Sequence, residues 1–216
     1  MNQGLRSVLF NTTHNGISRM EQTKIAFQFV LMTVCSLLMG VLFVGVLSEQ
    51  IYADNISLVS SHFEKIFVDC DRIYEYFLCI FSYAVSDIIC VLIVFAVSFA
   101  IFNYVISDFV LIYSGFRVGI ALSFLFSFVS NVEYTYNIGW IKYLVFLFFK
   151  MAILVLLLDY SYRAALYSGD LKKTSAIGRP NLKFKVLLPF LVSSFARVGA
   201  VIILNGLYCG LIYFLQ

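Results

Sequence analysis

Charge is what this chain has least of. Asp, Glu, Lys and Arg make up 12% of its 216 residues, about half the ~25% of an ordinary soluble domain. That scarcity excludes a small water-soluble globule. With 62% of the residues apolar, no core of this size could hide them, so the solvent they face is lipid. Histidine is scarcer still. His14 and His62 are the two, and they flank the first long apolar run, so they cannot meet across a membrane. The sequence has no GxSG, no HExxH, no paired carboxylates within an apolar run and no Walker motif. An enzyme is therefore not expected, nor a cofactor, a metal or a nucleic-acid partner. Any energy coupling would come from another subunit. His62 with Cys70 or Cys79 is the one formal nucleophile–base combination, and no orienting group accompanies it. The cysteines show neither zinc spacing nor a CxxC. Cys35, Cys90 and Cys209 fall in apolar runs as small hydrophobes. Cys70 and Cys79 could pair only if ten residues of helix did not hold them apart.

What the chain does have is length in its apolar runs. Five are expected to span, at about 25–48, 88–106, 109–130, 141–158 and 189–213, giving an all-α integral membrane protein. The first is too long for a cleaved leader and reads as a retained helix. Pro189 opens the last run, where a first-turn proline is tolerated. Only Ser107 and Asp108 separate the second run from the third, which implies a tight hairpin. Residues 1–24 form a polar tail, and 159–185 a basic loop. The outer segment 49–87 carries Phe63, Ile66, Phe67, Cys70, Ile73, Tyr74 and Phe77 at helical spacing. It reads as an amphipathic helix on the outer leaflet, either a connector or a docking platform.

Charge asymmetry sets the orientation. Arg6, Arg19, Lys24, Arg163, Lys172, Lys173, Arg179, Lys183 and Lys185 fall on one side of a five-span arrangement. Most carboxylates fall on the other. Positive residues mark the cytoplasm, so the N-terminus is expected inside and the C-terminus outside.

Three cations lie within the runs: Arg117, Lys150 and Arg197. Each is roughly 12 Å from the cytoplasmic end of its span at ~1.5 Å per residue. The nearest carboxylates, Asp87, Asp108 and Asp159, fall at span ends. Each cation would cost about 2.5–3.5 kcal/mol unless it snorkels or finds an acid on another chain, an anionic lipid or ligand, or a hydrated cavity. Gly115 and Gly119 lie about 160° round the helix from Arg117. Gly199, Gly206 and Gly210 oppose Arg197 in the same way. Glycines four apart let helices approach closely. The glycine stripes are therefore expected to pack inside the bundle. Arg117, Lys150 and Arg197, with the neighbouring Tyr113, Ser114, Ser193 and Ser194, are expected to contact a partner or lipid.

The order of segments resembles the stage II sporulation protein M family of bacterial membrane proteins. The likeness rests on "LLMGVLFVGVLSEQ" at the end of the first span and Ser86-Asp87 before the second. It extends to "SGFRVGIALSFLF" in the third span and "DYSYRAALYSGDLKK" leaving the fourth. The chain differs in having Ser114 where the family often carries a basic residue, and "NYVISD" and "YNIGWIKY" where it carries prolines. The resemblance implies a multi-pass protein of the bacterial cell membrane that acts as a non-enzymatic scaffold. Such a scaffold positions cell-wall peptidoglycan hydrolases during septal remodelling and engulfment in sporulation. Its partners would be membrane-anchored proteins within the lipid bilayer, with oligomerisation left open. The alternative is a membrane subunit of a transporter or permease. Asn103, Asn205 and the three cations would then take a small, anionic solute.

Overall fold

A computed structural model describes residues 19–66, 73–99, 103–130, 139–176 and 180–214. They form five helices: α1 (Arg19–Ile66), α2 (Ile73–Val97), α3 (Asn103–Ser130), α4 (Gly139–Ala176) and α5 (Pro180–Phe214). Among the described residues there is no strand. Among the described residues, four stretches are long and apolar enough to cross a bilayer: Met20–Val44, Val105–Ser123, Ile141–Gly169 and Leu187–Leu211. A shorter apolar stretch, Ala84–Val97, accompanies them. The chain is an all-α, multi-pass membrane protein. Hydrocarbon offers a backbone no hydrogen bonds, so a helix that satisfies its own is the form these runs must take.

Side-chain pairings give the helix directions. Gln28 meets Asp108 and Gly40 meets Gly119, so α1 and α3 run parallel. Tyr160 reaches Ser194 and Lys150 reaches Asn205, so α4 runs antiparallel to α5. Tyr143 reaches Ala121 while Leu147 and Leu154 pack with Val118, so α4 runs antiparallel to α3 as well. Arg117 reaches Ser86 and Ser114 reaches Cys90, which makes α2 antiparallel to α3. The result is an up-and-down bundle in which α4 touches all four other helices. Its core draws Phe29 from α1, Val91 and Val94 from α2, Leu111 from α3, Ile153 and Leu157 from α4, and Val201 from α5.

The helix ends fall elsewhere than hydropathy alone places them. The run 88–106 is not one helix. Ser98 closes α2, its backbone N–H donating to Val94 O at 3.0 Å and its hydroxyl to Phe95 O at 2.6 Å. α3 then opens at Asn103, a residue type that favours helix starts. Ser107 and Asp108 therefore lie inside α3 and form no hairpin. The expected loop 159–185 is helical through Ala176 and again from Pro180. Pro180 takes the first position of α5, and Pro189 lies in the helix interior. There it removes one backbone hydrogen bond, which membrane helices accommodate.

Of the outer segment, residues 49–66 continue α1, and 73–87 belong to α2. Residues 67–72, the possible Cys70–Cys79 pairing and the tail 1–18 lie outside what the structure describes.

The closest helix contact is the seam between α1 and α3. A Cβ on Gly119 would meet Leu37 O, and would lie 3.0 Å from Gly40 Cα. One on Gly115 would run into Ser36 Oγ, and one on Gly40 into Phe116 O. Three glycines on two parallel helices thus bring backbone against backbone, as small residues do in membranes. Ser36 and Thr33 extend this face, with each hydroxyl bonded to its own helix at Thr33 O and Phe29 O. The fifth helix differs. A Cβ on Gly199 would have nothing within 4 Å, and one on Gly206 only Ile80 Cδ1 at 3.8 Å. Gly210 is partly buried. The α5 stripe is not a second close seam within the described bundle.

Candidate functional site

The α1–α3 seam fixes where Arg117 points. It lies on the far side of α3 from Gly115 and Gly119, and that side is covered by α2 and α4. From there Arg117 reaches toward α2 and α4 at the edge of the bundle, its side chain 38% exposed. Asp87 lies on this side too. Because α2 begins at Ile73, Asp87 sits well within it instead of at its entry. It is 6% exposed.

Lys150 on α4 donates to Asp87 Oδ2 at 2.5 Å and to Asn205 Oδ1 on α5 at 3.3 Å. Asn205, 1% exposed, is held in turn by its own amide donating to Val201 O at 2.9 Å. Arg117 Nη1 donates to Ser86 Oγ at 3.1 Å and lies 3.8 Å from Asp87 Oδ1. Its guanidinium also stands over the Tyr113 ring, 5.3 Å from the centroid. Lys150 lies 5.8 Å from the centroid of Phe146. Four helices thus converge on one carboxylate, two cations and an amide.

This cluster borders a cavity of about 280 Å3. Asp87, Ser114, Arg117 and Lys150 form its polar end. The walls are apolar, from Val118, Ala121, Phe146, Ile153, Leu154 and Leu157. Tyr143, 1% exposed, crosses one end, its hydroxyl donating to Ala121 O at 2.5 Å. Beyond it Phe146 packs edge-on against Tyr208 at 5.4 Å. Toward the other end of the bundle Tyr160 and Tyr167 stack on Phe190, at 5.9 and 4.1 Å. The cavity therefore lies between two aromatic layers.

A second polar layer lies nine residues along α4, roughly 14 Å from the first. Asp159 accepts from Arg197 Nη2 at 2.7 Å and from Arg163 Nε at 3.0 and 3.1 Å. Arg197 Nη1 also donates to Ser193, at its carbonyl (3.0 Å) and its hydroxyl. The guanidinium lies 5.3 Å from the Tyr160 centroid. Across the bundle at the same level, Gln28 donates to Asp108 Oδ2 at 2.7 Å.

These positions correct the expected outward contacts. Lys150 is buried and paired with Asp87. Ser114 is buried and donates to Cys90 Sγ at 3.7 Å, and Ser194 is buried against the Tyr160 hydroxyl. Arg197 has its acid on α4 of the same chain, and Ser193 serves it. Tyr113 does lie on the exposed surface. The physical reason is that Asp87 and Asp159 sit inside helices that run past the edges of the apolar runs. Hydropathy marks where the grease stops, whereas hydrogen bonding decides where the helix stops. Asp87, Asp159 and Ser86 are the site residues that sequence reasoning left out. The available signal was a carboxylate at the margin of each run that faces a buried cation.

Among the described residues no three His, Cys, Asp or Glu side chains come together as a metal site requires. No family model, no curated protein and no solved structure matches the chain.

Proposed function

We propose that this protein is a non-enzymatic membrane protein that binds a small anionic solute at the centre of its bundle, as a permease or a transporter subunit does. The observation that supports this is the imbalance around Asp87. One carboxylate faces two cations, Arg117 and Lys150, at the polar end of a cavity of about 280 Å3. Ionisable groups at this depth are costly and commonly mark a solute path. Transporters bind their substrates near the midplane between helices. The cavity is close to the small end of ligand pockets, which span about 300–1,000 Å3.

The test is equilibrium binding of labelled acetate, butyrate, phosphate and sulfate to the full chain in lipid nanodiscs. Saturable binding of any of these, weakened at least tenfold in Arg117→Gln, is the expected result. Absence of saturable binding for all four overturns the reading.

A scaffold resembling stage II sporulation protein M, holding wall hydrolases in a bacterial cell membrane, is the second reading. It draws on a separate observation: α1 runs on as helix past Ser48, where the first apolar run ends, to Ile66. A rod of that kind suits the docking of a partner outside the bilayer. Deleting 49–66 would then remove a single-pass partner from mild-detergent co-purification, while Arg117→Gln would leave it in place. Both readings set the N-terminus in the cytoplasm and the C-terminus outside. A cysteine placed between residues 170 and 183 should resist impermeant reagents in intact cells.

A further inference from the structure

Charge, donor geometry and wall chemistry together narrow the solute. Lys150 and Arg117 bring two positive charges to the cavity and Asp87 one negative, which leaves a single positive charge. α5 contributes the neutral amide of Asn205 to this cluster. A monoanion would bring the buried site to neutrality, whereas a dianion would leave an uncompensated negative charge in low dielectric. Lys150 is committed to Asp87 and Asn205. Arg117 is the looser cation. Its side chain is 38% exposed, and Ser86 is its hydrogen-bond partner among the described residues. A guanidinium offers parallel N–H groups that match the two oxygens of a carboxylate.

The rest of the cavity has no such chemistry. Val118, Ala121, Leu154 and Leu157 give walls on which the extra oxygens of sulfate or phosphate would lose hydrogen bonds to water and gain none. An alkyl chain would fit the same walls well.

Resting on the anion-binding reading above, we propose that the site selects a monocarboxylate with a short apolar tail, its carboxylate held at Arg117 and its tail lying along α3 and α4. Affinity then rises with chain length while methylenes still enter the cavity. The discrimination against doubly charged anions comes from Asp87, which cancels one of the two cations.

The experiment measures binding to the full chain in lipid nanodiscs at pH 7 for acetate, propionate, butyrate, butyramide, succinate and sulfate. Affinity should climb roughly fourfold per methylene from acetate to butyrate. Succinate and sulfate should bind at least tenfold more weakly than butyrate. Butyramide reports partition into lipid without charge recognition and should not saturate. Arg117→Gln, which keeps the Lys150–Asp87 pair and hence the fold, should weaken butyrate at least tenfold. Equal or tighter binding of sulfate or succinate overturns the monocarboxylate assignment and leaves the anion reading standing, as does affinity that ignores chain length. An Arg117→Gln protein that binds butyrate as wild type does overturns the placement of the carboxylate. If no anion binds, both inferences fall together.

Discussion

Arg117 and Arg197 look like two copies of one design in the sequence, and the fold separates them. Each follows a serine by a few residues, each opposes a stripe of glycines, and each guanidinium lies 5.3 Å from a tyrosine centroid. Arg197 is 14% exposed, and Asp159 and Ser193 hold two of its nitrogens. Arg117 is 38% exposed and must share Asp87 with Lys150, which holds it more closely. Arg197 therefore ties α5 to α4, and Arg117 borders a cavity with charge left over.

The sharpest way to break this comparison is at the shared acid. Asp87→Leu leaves Lys150 buried without its counter-ion, and truncating one partner of a buried pair costs about 3–5 kcal/mol. Denaturation in mixed micelles should show that loss. The double variant Asp87→Leu/Lys150→Met should recover most of it, because no buried charge is then left unpaired. Failure to recover would mean that Asp87 stabilises the bundle through Arg117 instead.

Next in size is the glycine face behind Arg117. At Gly119 an added Cβ meets the Leu37 carbonyl and crowds Gly40. Backbone atoms cannot swing aside as a side chain end can. Gly119→Ala should cost about 1–3 kcal/mol by overpacking, read by the same denaturation. It should also move α3, and with it Arg117, so solute binding should weaken in parallel. On the other arginine, Asp159→Asn removes the acid of Arg197. Asp159 is 45% exposed, so solvent screens the pair. The expected loss is about 1 kcal/mol or less, and it should shrink further in high salt.

Much of this architecture is legible in the sequence. Long apolar runs force helices in lipid, and Gly115 and Gly119 mark a close-packing face because only glycine permits backbone contact there. The partner glycine, Gly40, lies in a run quoted for its own glycine. What the runs do not encode is which neighbour covers which face. One helical wheel places Arg117 opposite Gly119, but it does not show that the side chain, though 38% exposed, also reaches Ser86 and Asp87 on α2. α3 has α1 on one side and α2 and α4 on the other. Helix ends were hidden for a related reason. Ser98 stops α2 inside an apolar run through a local hydroxyl bond, and Asp87 continues a helix beyond the edge of one. Both are short-range polar effects that a hydropathy average smooths away.

The smallest expected effect tests the other half of the comparison. Gly199→Ala adds a methyl where nothing lies within 4 Å, so the chain alone predicts a change within about 0.5 kcal/mol. That near-silence is informative, because Gly199 stands to Arg197 roughly as Gly119 stands to Arg117. A methyl costs free energy only where a surface is already filled. If Gly199→Ala in lipid bilayers is as damaging as Gly119→Ala, something outside this bundle packs on α5, and a second copy of the chain would be the first occupant to test by cross-linking. If it is silent in bilayers as well as in detergent, α5 presents its glycines to lipid. Close packing is then confined to the seam behind Arg117, on the helix that lines the cavity.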